Sequence, residues 1–315
     1  MTQYGYFLSS EEHGPGDLLR FAQMGEKAGF ESVLLSDHFH PWIERQGESP
    51  FVWSVAGAIA ATTSLRLTTG VTCPTVRLHP AIVAQAAATT SLLFGGRFCL
   101  GVGSGEALNE HILGDRWPPA ATRLEMLEEA VAVMRELWQG GLVTHHGQHY
   151  TVETARIYSC PDEPPKVYVS GFGPDAVELA ARIGDGYVNV APDDALVKRY
   201  RDAGGKGPAL AAIKVCWHAD RDAAVKLAFD LWKTSGVPGE LNQELPLPRH
   251  FEQAAETVTE AMISEKIPCG PDPSVHSEII RQYVEAGYDE VYISQIGDDQ
   301  AGFLRFFTDE VRPRL

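Results

Sequence analysis

YGYFLSSEEHGPGDLLRFAQMGEKAGFESVLLSDH, residues 4–38, decides the fold. Residues 4–8 form a short apolar run. Residues 17–28 then place Leu18, Leu19, Phe21, Ala22 and Met24 on one face at helical spacing. Residues 32–36 are a second short apolar run, closed by Asp37. Two strands that are apolar throughout, joined by an amphipathic helix, predict a parallel crossover unit buried on both faces.

The same alternation runs outward to the end of the chain. Helices are predicted over 56–64, 79–93, 123–139, 175–183, 195–203, 221–233, 274–286 and 301–310. Strands are predicted over 65–72, 98–102, 167–170, 186–190, 213–218 and 290–295. At 315 residues, such a series is expected to close as a (β/α)8 TIM barrel rather than spread as an open sheet. One domain is expected over 1–315, with two excursions. Residues 141–160 read as a short hairpin, and residues 236–271 are longer and rich in proline. Each reads as part of the active-site wall or as a plain surface loop.

Composition narrows the class of function. Hydrophobic residues at 44% and charged residues at 22% are ordinary globular values. No stretch approaches the 18 uncharged apolar residues that predict a membrane span, and the first ten residues lack the basic start and apolar run of a signal peptide. A net charge of -16 repels phosphate backbones, so nucleic acid is not an expected partner. An anionic ligand would need local N–H groups or isolated basic residues. Five widely spaced cysteines with no CxxC predict free thiols and a cytoplasmic location. His145, His146 and His149 lack clean metal-ligand geometry and are read as polar surface; no metal is expected.

Three motifs fall at strand ends, where a barrel places its chemistry. The first is Ser36-Asp37-His38-Phe39-His40-Pro41-Trp42. His38 suits general acid–base work near neutral pH, and Trp42 suits the wall of a flat pocket. The second is Gly101-Val102-Gly103-Ser104-Gly105-Glu106-Ala107-Leu108-Asn109-Glu110. Its glycines allow close backbone approach to a ligand, Ser104 and Asn109 offer hydrogen bonds, and Glu106 offers a carboxylate. Its spacing and its place in the fourth unit are wrong for a dinucleotide fingerprint. The third is Ser170-Gly171-Phe172-Gly173-Pro174, a glycine turn opening a helix, which is a generic anion site.

Together with QGESPF (46–51), CPTVRLHPA (73–81), GRFCLGVGSGEALNE (96–110), GFGPDAVELA (171–180), GDGY (184–187) and DEVYISQIGDDQAGFLRFF (289–307), these motifs resemble the luciferase-like barrel superfamily. The resemblance is closest to its deazaflavin branch, the coenzyme F420-dependent glucose-6-phosphate dehydrogenase-like group. It implies hydride transfer between F420 and an alcohol or carbonyl substrate. His38 would move the substrate proton, Glu106 would be its partner acid or base at the ring, and Trp42 would pack near the reacting face. Asp37 and Cys73 would contact the ring system; Ser104, Gly105 and Asn109 would hold its polar side. Phe172, Gly173, Asp175 and Ala176 match the phosphate-binding turn. The resemblance also implies a cis peptide at Gly70–Val71 and a homodimer. One departure stands out: Asp193 lies where sugar-phosphate members place Lys, so glucose 6-phosphate is not the expected substrate. Two alternatives stay open, an FMN-dependent monooxygenase on the same barrel and a cofactor-binding protein without catalysis.

Overall fold

The computed structural model describes residues 2–315. Its strands are β1 (Gln3–Leu8), β2 (Ser32–Leu35), β3 (Arg66–Thr69), β4 (Phe98–Val102), β5 (Val143–His146), β6 (Thr151–Ala155), β7 (Lys166–Ser170), β8 (Gly186–Asn189), β9 (Ala209–Val215) and β10 (Glu290–Gln295). Its first seven helices are α1 (Pro15–Lys27), α2 (Val52–Thr62), α3 (Pro80–Leu93), α4 (Ala107–Glu110), α5 (Ala120–Leu137), α6 (Pro174–Ile183) and α7 (Asp194–Asp202). The rest are α8 (Arg221–Trp232), α9 (Leu241–Glu244), α10 (Pro248–Ala254), α11 (Glu260–Lys266), α12 (Pro273–Glu285) and α13 (Gln300–Phe306).

β1, β2, β3, β4, β7, β8, β9 and β10 are parallel and close into a barrel, with β10 back against β1. This is the α/β TIM-barrel fold. Side chains alternate along each strand. Leu34, Cys99, Tyr168, Val188, Leu210, Ala212 and Tyr292 cluster inside the barrel. The opposite faces meet the helices through Leu18, Phe21, Val83, Ala87 and Leu127, among others. At the N-terminal end, Arg66 donates to both Glu290 oxygens at 2.9 and 2.5 Å, and the Tyr292 hydroxyl donates to Glu290 at 2.7 Å. That end is therefore plugged, and the open end lies at the strand C-termini.

Several boundaries differ from the sequence reading. α2 starts at Val52, because Val52, Val55, Ala56 and Ile59 make one buried stripe at helical spacing. β9 starts at Ala209, because the small residues of ALAAI fit a barrel interior and pair in register with β10. β3 stops at Thr69; beyond it the Gly70–Val71 peptide is cis, and Thr72 makes a single bridge to Val102.

Both excursions are anchored to the barrel. β5 and β6 form an antiparallel hairpin. Glu129 of α5 holds it, accepting from His145 Nε2 at 3.0 Å and from the backbone N–H groups of Gln148, His149 and Tyr150 at 3.1, 3.0 and 2.9 Å. The second excursion carries α9, α10 and α11. Buried Arg123 ties it to α5 by donating to Gln243 and Glu244 at 2.8 and 3.1 Å.

Candidate active site

The open end gathers side chains from loops far apart in the chain. After β2 the backbone turns outward, and Asn109 of α4 fixes that turn. Its Oδ1 accepts from Phe39 N–H at 2.9 Å and His40 N–H at 3.2 Å. His38 is buried at the turn. Its Nδ1 lies 3.1 Å from the His40 carbonyl, which can only accept. Nδ1 also lies 3.2 Å from Asn109 Nδ2, which can only donate, so its two contacts call for opposite tautomers, while Nε2 faces the mouth.

Two carboxylates flank that nitrogen. Glu11 Oε1 is 3.5 Å away and Glu106 Oε2 is 3.8 Å away. These separations exceed an ordinary hydrogen bond, so Nε2 keeps room for a substrate hydroxyl. Glu106 is steadied by Asn109 Nδ2, which donates to it at 3.1 Å. Trp42 lies beside His38, with ring centroids 5.1 Å apart and planes tilted by 55°. Phe251 of α10 packs edge-on against Trp42 at 5.2 Å. The second excursion thus builds the wall behind Trp42.

The carboxylates differ in environment. Burial pushes the Glu106 carboxyl up, and the neighbouring charges of Glu11 and Glu110 add to it against the pull of His38. Burial also acts on Glu11, but His38 and the hydroxyls of Ser36 and Ser9 outweigh it and hold that carboxyl below its usual value. The Ser36 and Ser9 hydroxyls donate to Glu11 Oε2 at 2.6 and 2.9 Å. Next to it, burial raises Glu12 to about 7, although it accepts from Gly297 N–H and Trp232 Nε1. Lys214 of β9 stands over the Trp232 ring at 4.1 Å. Burial lowers its ammonium, and the facing Glu11, Glu12 and Glu106 oppose that.

Asp37, expected at the ring system, follows β2 by two residues. Its side chain is fully covered, accepting from Thr72 at 2.8 Å and from Arg77 at 3.1 Å. Arg77 also donates to Glu110 through its backbone N–H at 2.6 Å and through Nε at 3.4 Å. Asp37 and Glu110 thus share Arg77, which joins the segments after β2, β3 and β4. Asn109 likewise uses its amide on the protein itself.

Cys73 is buried with its sulfur 2.8 Å from the Thr75 hydroxyl, and burial pushes its thiol up. Gly105 has φ +88°, and a Cβ there would lie 2.5 Å from the Cys73 sulfur. Only glycine gives the chain that path. Ser104 sits beside it, half-buried. On the other side of the mouth, Gly173 precedes α6 with Pro174 in the first turn and no side chain capping it. Phe172 is exposed there, Asp175 is exposed, and Ala176 is half-buried.

The structure thus joins His38, Glu106, Trp42 and Asn109 in one cluster, with the Gly173 turn apart from it. The sequence reading missed Glu11, Glu12, Arg77, Glu110 and Lys214. A signal existed for three of them. Glu11 and Glu12 directly follow β1, and Lys214 interrupts the apolar strand of β9.

The sequence profile of the luciferase-like monooxygenase family matches residues 2–290. The chain belongs to this family. Within it, the chain is 37% identical to the F420-dependent glucose-6-phosphate dehydrogenase of Microbacterium testaceum, over 99% of this chain and 97% of that protein. It is 35% identical to the protein of that name from Beutenbergia cavernae, over 100% and 98%. Among solved structures it is similar to an F420-dependent secondary alcohol dehydrogenase in complex with an F420-acetone adduct. That match has a TM-score of 0.92 and 33% identity, covering 99% of this chain and 98% of that one.

Proposed function

We propose that this protein is a coenzyme F420-dependent oxidoreductase acting on a small alcohol or carbonyl compound. The observation that carries the reading is His38 Nε2, free of a tight partner and set within 4 Å of both Glu11 and Glu106. Likeness to F420-dependent dehydrogenases over the full chain supports the cofactor, and it does not favour the flavin mononucleotide monooxygenase.

The residues present fit a flat anionic ring system. Gly101, Gly103 and Gly105 let β4 and its exit lie tight against the segment after β3, where a Cβ would strike Thr69 O, Val71 and the Cys73 sulfur respectively. Gly105, Ser104 and the backbone around Cys73 would hold the ring, and the uncapped N–H groups at Gly173–Ala176 would hold an anionic tail. When bound, the deazaflavin supplies the hydride acceptor or donor.

The chain's own residues handle protons and position. An alcohol hydroxyl at Nε2 would give its proton to His38, while the His40 carbonyl and the Asn109 amide at Nδ1 hold the ring's orientation. Glu11, kept ionised by Ser9 and Ser36, stabilises the imidazolium that forms. Glu106, whose carboxyl burial raises, is the second proton-carrying group beside Nε2. Two carboxyls with opposed environments divide the task. Trp42, backed by Phe251, excludes water from that face.

Relatives matched over the full chain carry the name glucose-6-phosphate dehydrogenase, so that sugar phosphate is the competing substrate; two local charges set a small alcohol ahead of it in this reading. Asp193 caps α7, accepting from Leu196 N–H at 2.9 Å. Lys214 is surrounded by three carboxylates. A phosphate would meet net negative potential. The test is a titration of F420 against flavin mononucleotide, then turnover of F420 with small secondary alcohols and with glucose 6-phosphate. F420 binding and alcohol oxidation at a kcat/KM at least tenfold above the sugar phosphate are expected. A preference for glucose 6-phosphate would overturn the substrate assignment.

Homodimerisation belongs to the same reading. Ile82, Leu92 and Leu93 leave apolar side chains exposed along α3, and light scattering at twice the chain mass is the expected result. No helix among the described residues is long and apolar enough to cross a membrane. The five free cysteines support a cytoplasmic location.

A further inference from the structure

Two of those thiols stand together. Cys216 ends the β9 segment, and Cys269 lies where the second excursion rejoins the barrel. They are partners in a single parallel bridge. Cys216 N–H donates to Pro268 O, and Gly270 N–H donates to Cys216 O, each at 2.9 Å. Neighbouring chains so paired run about 4.8 Å apart, inside the Cα separation of about 4.4–6.8 Å that a disulfide spans. Bridge partners also point their side chains to the same side.

We propose that Cys216 and Cys269 form a reversible redox pair, oxidised by a hydroperoxide to a disulfide that tethers the second excursion to β9. Cys269 is the attacking sulfur. Cys216 is fully buried, whereas Cys269 is 6% exposed and within reach of a water-sized oxidant. The Cys269 sulfur contacts the Ile267 carbonyl at 3.2 Å, and the neighbouring Cys216 thiol, with Arg221, outweighs burial and draws the Cys269 thiol down. The Cys269 thiolate attacks hydrogen peroxide: an S–O bond forms, the O–O bond breaks, and the departing oxygen leaves as water. The Cys216 sulfur then attacks the Cys269 sulfenic acid: the S–S bond forms, S–O breaks, and a second water leaves. Two thiols and one peroxide give one disulfide and two waters.

The tether matters because of what it joins. The excursion carries Phe251, which packs on Trp42, and β9 carries Lys214. A disulfide at Cys216–Cys269 fixes the exit of the first to the end of the second. The pair lies outside the proton-handling cluster, so the inference stands independently of the substrate and cofactor assignment.

The test uses the full-length chain. It is treated with hydrogen peroxide, quenched, denatured in an alkylating agent and peptide-mapped. Loss of two of the five thiols and a Cys216–Cys269 cross-linked peptide, reversed by dithiothreitol, are expected. Cys216→Ser is expected to leave a sulfenic acid at Cys269 that dimedone traps, and Cys269→Ser to leave Cys216 unreacted. Cleavage at Glu240 by a glutamyl endopeptidase is expected to slow at least threefold on oxidation. Full alkylation of both cysteines after peroxide, or sulfenic acid at Cys160 alone, would overturn the redox pair. Unchanged cleavage with the cross-link present would overturn the tether.

Discussion

His38 owes its chemistry to two neighbours that contribute no acid–base groups of their own. The His40 carbonyl and the Asn109 amide both hold Nδ1, and Asn109 also fixes the turn that carries the ring. His38→Ala is expected to lower kcat about 10²–10⁴-fold, with F420 affinity unchanged in a fluorescence titration. An equal loss of cofactor binding would instead make His38 a binding residue. Glu12 sets a pH signature of its own. Its folded-state value of about 7 lies above the unfolded value of 4.5, so the folded protein binds more protons between those limits. Stability from this group is full below pH 4.5 and falls by about 3 kcal/mol as pH rises to 7. Glu11 has the opposite sign: its contribution is present above its unfolded value and is lost as pH falls through its lowered folded value. Urea unfolding of wild type and Glu12→Gln at pH 5 and pH 8 checks this. The loss of stability toward pH 8 is expected to flatten in the variant, and parallel slopes would reject it.

At the level of elements, the ends of helices and strands carry the design. The turn from β4 into α4 needs Gly105 at positive φ, with the Cys73 sulfur where a Cβ would go. Gly105→Ala is expected to cost about 1–3 kcal/mol of stability and to weaken cofactor binding more than tenfold, read by thermal melting and titration. Glu129 is the matching device for the β5–β6 hairpin. Its four acceptor contacts replace the core that a two-stranded sheet lacks. Glu129→Ala is expected to cost about 2–3 kcal/mol and to abolish hydrogen-exchange protection at the amides of Gln148, His149 and Tyr150. Retained protection there would show that the hairpin stands on its own. The hairpin in turn places the Tyr150 hydroxyl on the Thr75 carbonyl at 2.9 Å, next to the segment of Cys73 and Arg77.

For the whole molecule, the net charge of -16 repels an anionic cofactor before it reaches the Gly173 turn. The association rate is therefore expected to rise, rather than fall, as salt goes from about 10 to about 150 mM, because the Debye length shrinks from about 30 to about 8 Å. Stopped-flow mixing at the two salt concentrations reads this directly. The barrel itself was legible along the chain: each unit repeats an apolar strand and an amphipathic helix, and burial patterns of that kind are local. The placing of His38 and Glu106 just past β2 and β4 was legible too, because strand ends announce themselves as polar residues after apolar runs. Lys214 and Glu12 give only a faint signal by position, because alone in the sequence each reads as a solvated charge. Residues 12 and 214 meet only because closure of the barrel sets β1 and β9 at either side of β10. The order of strands and helices thus follows from side-chain periodicity, which neighbouring residues fix among themselves. Which charges share the mouth, and so which carboxyl is held ionised and which is pushed toward its protonated form, depends on hydrogen-bond register between strands distant in the chain, and only the closed tertiary structure sets that.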